Sequence, residues 1–70
     1  MTYGENFKKL RADNKLTQKQ VAEHFGIHQS SVSDWENDKA RPEYEKLGDL
    51  AKLYNVSLYD LLMIDDEFFR

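Results

Sequence analysis

The feature that most limits how this chain can fold is a glycine set between two short amphipathic segments. Thr17-Gln18-Lys19-Gln20 reads as a capping box: the Thr17 hydroxyl can accept from an orphan amide while Gln20 reaches back to the Thr17 N–H. The helix opened there carries Val21, Ala22 and Phe25 on one face. It is expected to stop at Gly26, the residue type best able to take the left-handed conformation that ends a helix. Ile27 then points inward, and a second helix is predicted from His28 or Gln29, with Val32 and Trp35 on its apolar face. On these residues alone, the stretch reads equally well as two ordinary amphipathic helices joined by a tight turn.

The flanking sequence keeps helical spacing. Tyr3, Phe7 and Leu10 predict a first helix over roughly 4–14, with Leu16 anchoring the connection after it. Residues 37–42 form a polar loop. Pro42 is placed to start a fourth helix, because its fixed φ suits a first turn, and Glu43 and Glu45 favour the positive end of that helix. Tyr44, Leu47, Leu50, Ala51 and Tyr54 mark the expected buried stripe, with Leu53 at its margin. Asn55 suits a left-handed terminus, Val56 an inward staple, and Ser57 the cap of a last short helix bearing Leu58, Leu61 and Leu62. The expectation is an all-α fold of five helices, with residues 1–70 forming one domain.

Composition narrows the function classes. The chain has 70 residues and no cysteine, so it offers neither a disulfide framework nor a thiolate metal site. His24 and His28 are four apart, but Gly26 lies between them and breaks the helical register a metal pair would need. No metal, cofactor or catalytic residue is expected, and the chain is read as no enzyme. The N-terminal residues lack a basic stretch followed by an apolar run, and the longest apolar run, Leu61 to Ile64, is far shorter than a membrane span. A cytoplasmic protein with no membrane partner is expected. The formal net charge of −3 argues against a nucleic-acid binder until its distribution is considered. Residues 1–42 hold seven basic and six acidic side chains, whereas residues 43–70 hold three and seven. The first half can therefore turn a mildly basic face to phosphate.

One order of residues is specific: Thr17-Gln18-x-x-Val21-Ala22-x-x-Phe25-Gly26-Ile27-x-x-Ser30-x-Val32-Ser33-x-Trp35-Glu36. It continues in Asn37-x-Lys39-x-x-Pro42 and in Leu50-Ala51-x-x-Tyr54-Asn55-Val56-Ser57-x-x-x-Leu61-Leu62. Over roughly residues 5–62 this resembles the helix-turn-helix family of phage repressor and Cro proteins, the XRE family. The resemblance implies a lambda-repressor-like, compact five-helix domain that binds an operator in double-stranded DNA and regulates transcription. It implies that Gln29, Ser30, Ser33 and Asp34 face the bases; their short or amide side chains suit groove edges. It places Gln18, His28, Asn37, Lys39 and Arg41 near phosphates and makes Arg11 and Glu36 a structural salt bridge. The plainer alternative for these polar residues is a solvated helix face and loop.

The chain departs from the family pattern in two ways. Asp38 stands where glycine is common, which implies local strain and a negative charge near the expected phosphates. The recognition helix carries no arginine or lysine. Some small proteins of this family capture a repressor, so an antirepressor role with a repressor protein as partner is the alternative function. A weak homodimer is expected at most. The tail, residues 63–70, is expected to pack through Ile64 and Phe68 on the core or on a second subunit.

Overall fold

The computed structural model describes residues 1–64 and places five α-helices in them: α1 Tyr3–Asp13, α2 Gln18–Phe25, α3 Gln29–Glu36, α4 Tyr44–Leu53 and α5 Leu58–Leu62. No strand occurs among the described residues. Three helices begin with a hydroxyl cap. The Thr17 side chain accepts from the Gln20 N–H while Gln20 reaches back to the Thr17 N–H. Thr2 and Glu5 make the same reciprocal pair at α1, and Ser57 accepts from the Asp60 N–H at α5.

All five helices stop in the same way. The residues at the stops are Lys15, Gly26, Asp38, Asn55 and Met63, each with φ between 56° and 65°. At each stop, the following residue's N–H reaches back to a carbonyl in the last turn. Leu16 bonds Arg11, Ile27 bonds Ala22, Lys39 bonds Asp34, Val56 bonds Ala51 and Ile64 bonds Tyr59, all at 2.9–3.1 Å. This is the Schellman arrangement, which satisfies orphan carbonyls and turns the chain inward. Leu16, Ile27 and Val56, the residues just past three of the stops, pack against the core.

That core is Phe7 and Leu10 of α1, Val21 and Ala22 of α2, Val32 and Trp35 of α3, Leu50 and Ala51 of α4, Tyr54 just past α4, and Leu61 of α5. Two asparagines fix the helices around it. The buried Asn6 amide donates to the Asp60 and Leu61 carbonyls of α5, at 3.0 Å each. Asn14 donates to the Leu10 and Tyr54 carbonyls and accepts from Asn55. Side-chain amides thus tie α1 to α5 and to the end of α4 through backbone carbonyls at helix ends.

The fold departs from the sequence expectations at Pro42 and Tyr44. Pro42 does not start α4; Glu43 takes the cap position, and Pro42 is buried just before it. Tyr44 is 86% exposed and Leu58 46%, although both lie in phase with buried residues. Each is the first residue of its helix, and helical side chains lean toward the N-terminus, so these two lean past the edge of the core.

Gly4 marks a close approach of α1 to the end of α3. A Cβ there would lie 2.5 Å from the Glu36 carbonyl oxygen and 2.8 Å from that of Trp35, so α1 and α3 could not keep their separation. Gly4→Ala is expected to destabilise the protein by about 1–3 kcal/mol through overpacking against backbone, read as a lower midpoint in thermal unfolding. Lys15→Gly should act in the opposite sense, gaining up to about 1 kcal/mol by relieving the left-handed strain of a residue with a Cβ.

Candidate nucleic-acid interface

The α2–α3 corner is built by Gly26, which is left-handed at φ 65°, and by Ile27, which turns toward the core. Phe25 meets Trp35 edge-on across the corner, with ring centroids 6.0 Å apart. Val32, Trp35 and Glu36 bury the inner side of α3. His28, Gln29 and Ser30 at its start are exposed, and Ser31, Ser33 and Asp34 are half-buried. Of the four residues expected to face bases, Gln29 and Ser30 therefore reach furthest into solvent.

Behind this surface lies a polar relay. Arg11 donates to Glu36 twice, from Nε at 2.6 Å and from Nη2 at 3.0 Å, and its Nη1 donates to the Leu16 carbonyl at 2.9 Å. The Glu36 carboxylate is nearly inaccessible, with a side chain 3% exposed. Bonding to Glu36 holds the Arg11 guanidinium in its charged form against the opposing effect of burial. Burial, reinforced by the Glu36 charge, pushes the nearby Tyr54 phenol well above its usual range, so it stays neutral.

Glu36 Oε1 accepts a further bond, from Gln18 Nε2 at 3.0 Å. The carboxylate thereby fixes which end of the Gln18 amide faces inward, since only the nitrogen end can donate to it. The oxygen end then accepts from Gln29 Nε2 at 3.4 Å. A continuous line of donors and acceptors runs from Arg11 to the first residue of α3.

The loop after α3 does not bring its three expected phosphate ligands together. Asn37 folds back and donates to the Ser33 carbonyl and hydroxyl. The Arg41 guanidinium lies 5.0 Å from the centre of the Tyr3 ring. Lys39 is exposed and makes no ion pair among the described residues.

Asp38 is left-handed, at φ 60°, as its place in the family pattern implied, and its carboxylate turns toward the start of α1. Oδ2 accepts from the Thr2 hydroxyl at 2.6 Å and Oδ1 from the Gly4 N–H at 2.9 Å. Its charge is thus engaged with the positive end of a helix. The Thr2 bond, then the Gly4 bond, with a contribution from Arg41, hold its carboxyl below the usual carboxylate range. Thr2-x-x-Glu5 was the available sequence signal for a helix end at this place; nothing in the sequence tied it to a residue 34 positions away.

Comparisons with known proteins agree with this geometry. The family model described as helix-turn-helix matches residues 7–61. The HTH-type transcriptional regulator YobD of Bacillus subtilis (strain 168) is 38% identical over 65 residues, which is 93% of this chain and 58% of that protein. The immunity repressor protein of Bacillus phage phi105 is 37% identical over 58 residues, 83% of this chain and 40% of that protein. The HTH-type transcriptional regulator y4dJ of Sinorhizobium fredii (strain NBRC 101917 / NGR234) is 34% identical over 64 residues, 91% of this chain and 83% of that protein. The chain therefore spans about half the length of YobD and of the phage repressor.

Glu36→Gln should destabilise the fold by about 3 kcal/mol in urea unfolding, because it leaves the Arg11 guanidinium largely buried without a counter-charge. The Asp38 contribution has a pH signature. With its native pKa depressed, the stability it adds is complete above the unfolded carboxylate value, near about 4. It is lost as pH falls through the lower native value. Below about pH 4, stability should fall more steeply in the native chain than in Asp38→Asn; parallel profiles would contradict the role given to this carboxylate.

Proposed function

The chain belongs to the helix-turn-helix family of phage repressor and Cro type, and from that premise we propose that it binds operator DNA as a transcriptional regulator, laying α3 in the major groove. Membership in a family of DNA-binding regulators also places it outside the enzymes. The relay that ends at Gln29 carries the proposal. One N–H of the Gln29 amide is directed at Gln18, which leaves the other N–H and the oxygen to make the donor–acceptor pair that matches adenine N7 and N6. The glutamine would arrive at the groove already oriented, with less rotamer freedom to lose on binding.

Ser30 and Ser33 extend the reading edge, and Asp34 can accept from cytosine N4. Lys39 serves as the phosphate contact of the loop. The second N–H of Gln18 and the exposed His28 beside the start of α3 supply further contacts to the backbone. A single domain of this size covers little DNA. Two copies on half-sites about 34 Å apart, one helical turn, would double the contacts.

One observation favours a second reading. The α3 segment, Gln29–Glu36, has no basic residue and presents Asp34 on its half-buried outer side. Such a surface would also dock on the basic DNA-reading face of a repressor, and capture of that repressor would relieve its action.

Titration of duplex DNA at several salt concentrations separates these readings. Gln29→Ala is expected to lose about 1–3 kcal/mol and to relax preference at one base position. Lys39→Ala should weaken all sequences alike and flatten the salt slope by about one unit. Asp34→Asn should leave DNA affinity unchanged or higher if α3 reads bases, and should abolish capture if α3 binds a repressor. Equal loss on every duplex for both Gln29→Ala and Lys39→Ala would count against groove reading.

A further inference from the structure

On the side of the molecule where α1, α4 and α5 begin or end, an apolar groove of about 210 Å³ is lined by Tyr3, Phe7, Pro42, Leu47 and Leu62, with Arg41 also in its wall. An apolar cavity of about 150 Å³ accepts a benzene ring, so this one has room for an aromatic side chain. A shallower depression, lined in part by Met1, Asp38, Arg41 and Met63, shares Tyr3, Arg41 and Leu62 with the groove. Arg41 makes no ion pair among the described residues.

The chain leaves α5 beside this groove. Leu62 lines it, Met63 lines the adjoining depression, and the left-handed turn at Met63 sends the backbone off the α5 axis. Residues 65–70, which lie outside the described residues, read Asp-Asp-Glu-Phe-Phe-Arg: three acids, then two aromatic rings.

We propose that this chain's own Phe68-Phe69 pair seats a ring in the groove, with Asp65, Asp66 and Glu67 drawn to Arg41. Three arguments converge. Four residues beyond Ile64 can span roughly 13–14 Å when extended, enough to fold back from a start at the groove's lip. The acidic run is complementary to Arg41, which acts on Asp38 at a distance but makes no direct ion pair among the described residues. A tethered segment meets its site at an effective concentration in the millimolar range, far above that of a second copy in dilute solution. Seating the tail ties up Arg41, so of the loop cations only Lys39 is left to face phosphate.

The test is proton NMR on the full chain. Nuclear Overhauser contacts are expected from the Phe68 and Phe69 rings to the Leu47 and Leu62 methyl groups. A sample mixing isotope-labelled and unlabelled chains, read with an isotope filter, reports only contacts between copies and should show none of these. The double variant Phe68→Ser/Phe69→Ser substitutes no residue of the described core. It should shift the Tyr3 and Leu47 resonances and lower the Tm by roughly 4 °C or more. Contacts seen only in the mixed sample would assign the groove to a second copy and overturn the proposal. An absence of ring-to-methyl contacts, with Tyr3 and Leu47 unmoved in the variant, would overturn it too.

Discussion

The Arg11–Glu36 ion pair is the constraint on which the rest depends. A carboxylate at 3% exposure is tolerable only if its charge is matched and its lone pairs are occupied. Glu36 meets that demand with three donors: two from Arg11 of α1 and one from Gln18 of α2. Arg11 in turn holds the Leu16 carbonyl in the α1–α2 connection. Three helices and one connection are thereby fixed around a single buried charge. The polar side of α3 is set by the same group, because Gln18 can present its oxygen to Gln29 only while its nitrogen is held by Glu36. A hydrophobic pair of the same volume could join the helices but could not fix the direction of an amide.

The second constraint is how the helices end. Five helices joined by short connections must each stop abruptly and turn the chain toward a common core. The left-handed stop does both, and it recurs at Lys15, Gly26, Asp38, Asn55 and Met63. Glycine is used once. Asparagine tolerates the conformation, while lysine, aspartate and methionine adopt it under strain. At Asp38 the strain has a visible return. The left-handed turn aims the carboxylate at Thr2 and Gly4, close to where Gly4 lets α1 approach the Trp35 and Glu36 carbonyls. Loop and helix end are locked together beside this close α1–α3 contact.

These particulars explain what the sequence disclosed and what it withheld. The Thr17 capping box, the Gly26 stop, the inward Val32 and Trp35, and the Asn55-Val56-Ser57 junction were all legible, because each depends on residues within one or two helical turns. Tyr44 was misread because periodicity gives the face of a helix but not where along the axis the core ends. Pro42 was misread because a ring suited to a first turn is equally suited to filling a groove. The roles of Gly4, Asn6, Asn14 and Asp38 were not legible at all, since their partners lie 31 to 55 residues away. The expected placement of Gln18, Gln29 and Lys39 came from resemblance. The relay that orients Gln29 needed three-dimensional proximity.

Charge finally shapes what kind of DNA binder this fold can be. With a net charge of −3 and no cation on α3, long-range attraction to the polyanion is weak, and few counterions would be released on binding. On the groove-reading proposed above, affinity rests on short-range contacts: the pre-oriented Gln29, the serine hydroxyls and a single lysine. The Asp38 charge stays at the surface, but it is held by the Thr2 hydroxyl and the Gly4 N–H at the positive end of α1, which offsets part of its repulsion of a polyanion. A domain built this way gives up non-specific binding first. On the same proposal, occupancy of DNA depends on pairing two weak, selective heads on one operator, so that selectivity grows with each added copy while the attraction to arbitrary sequence stays small.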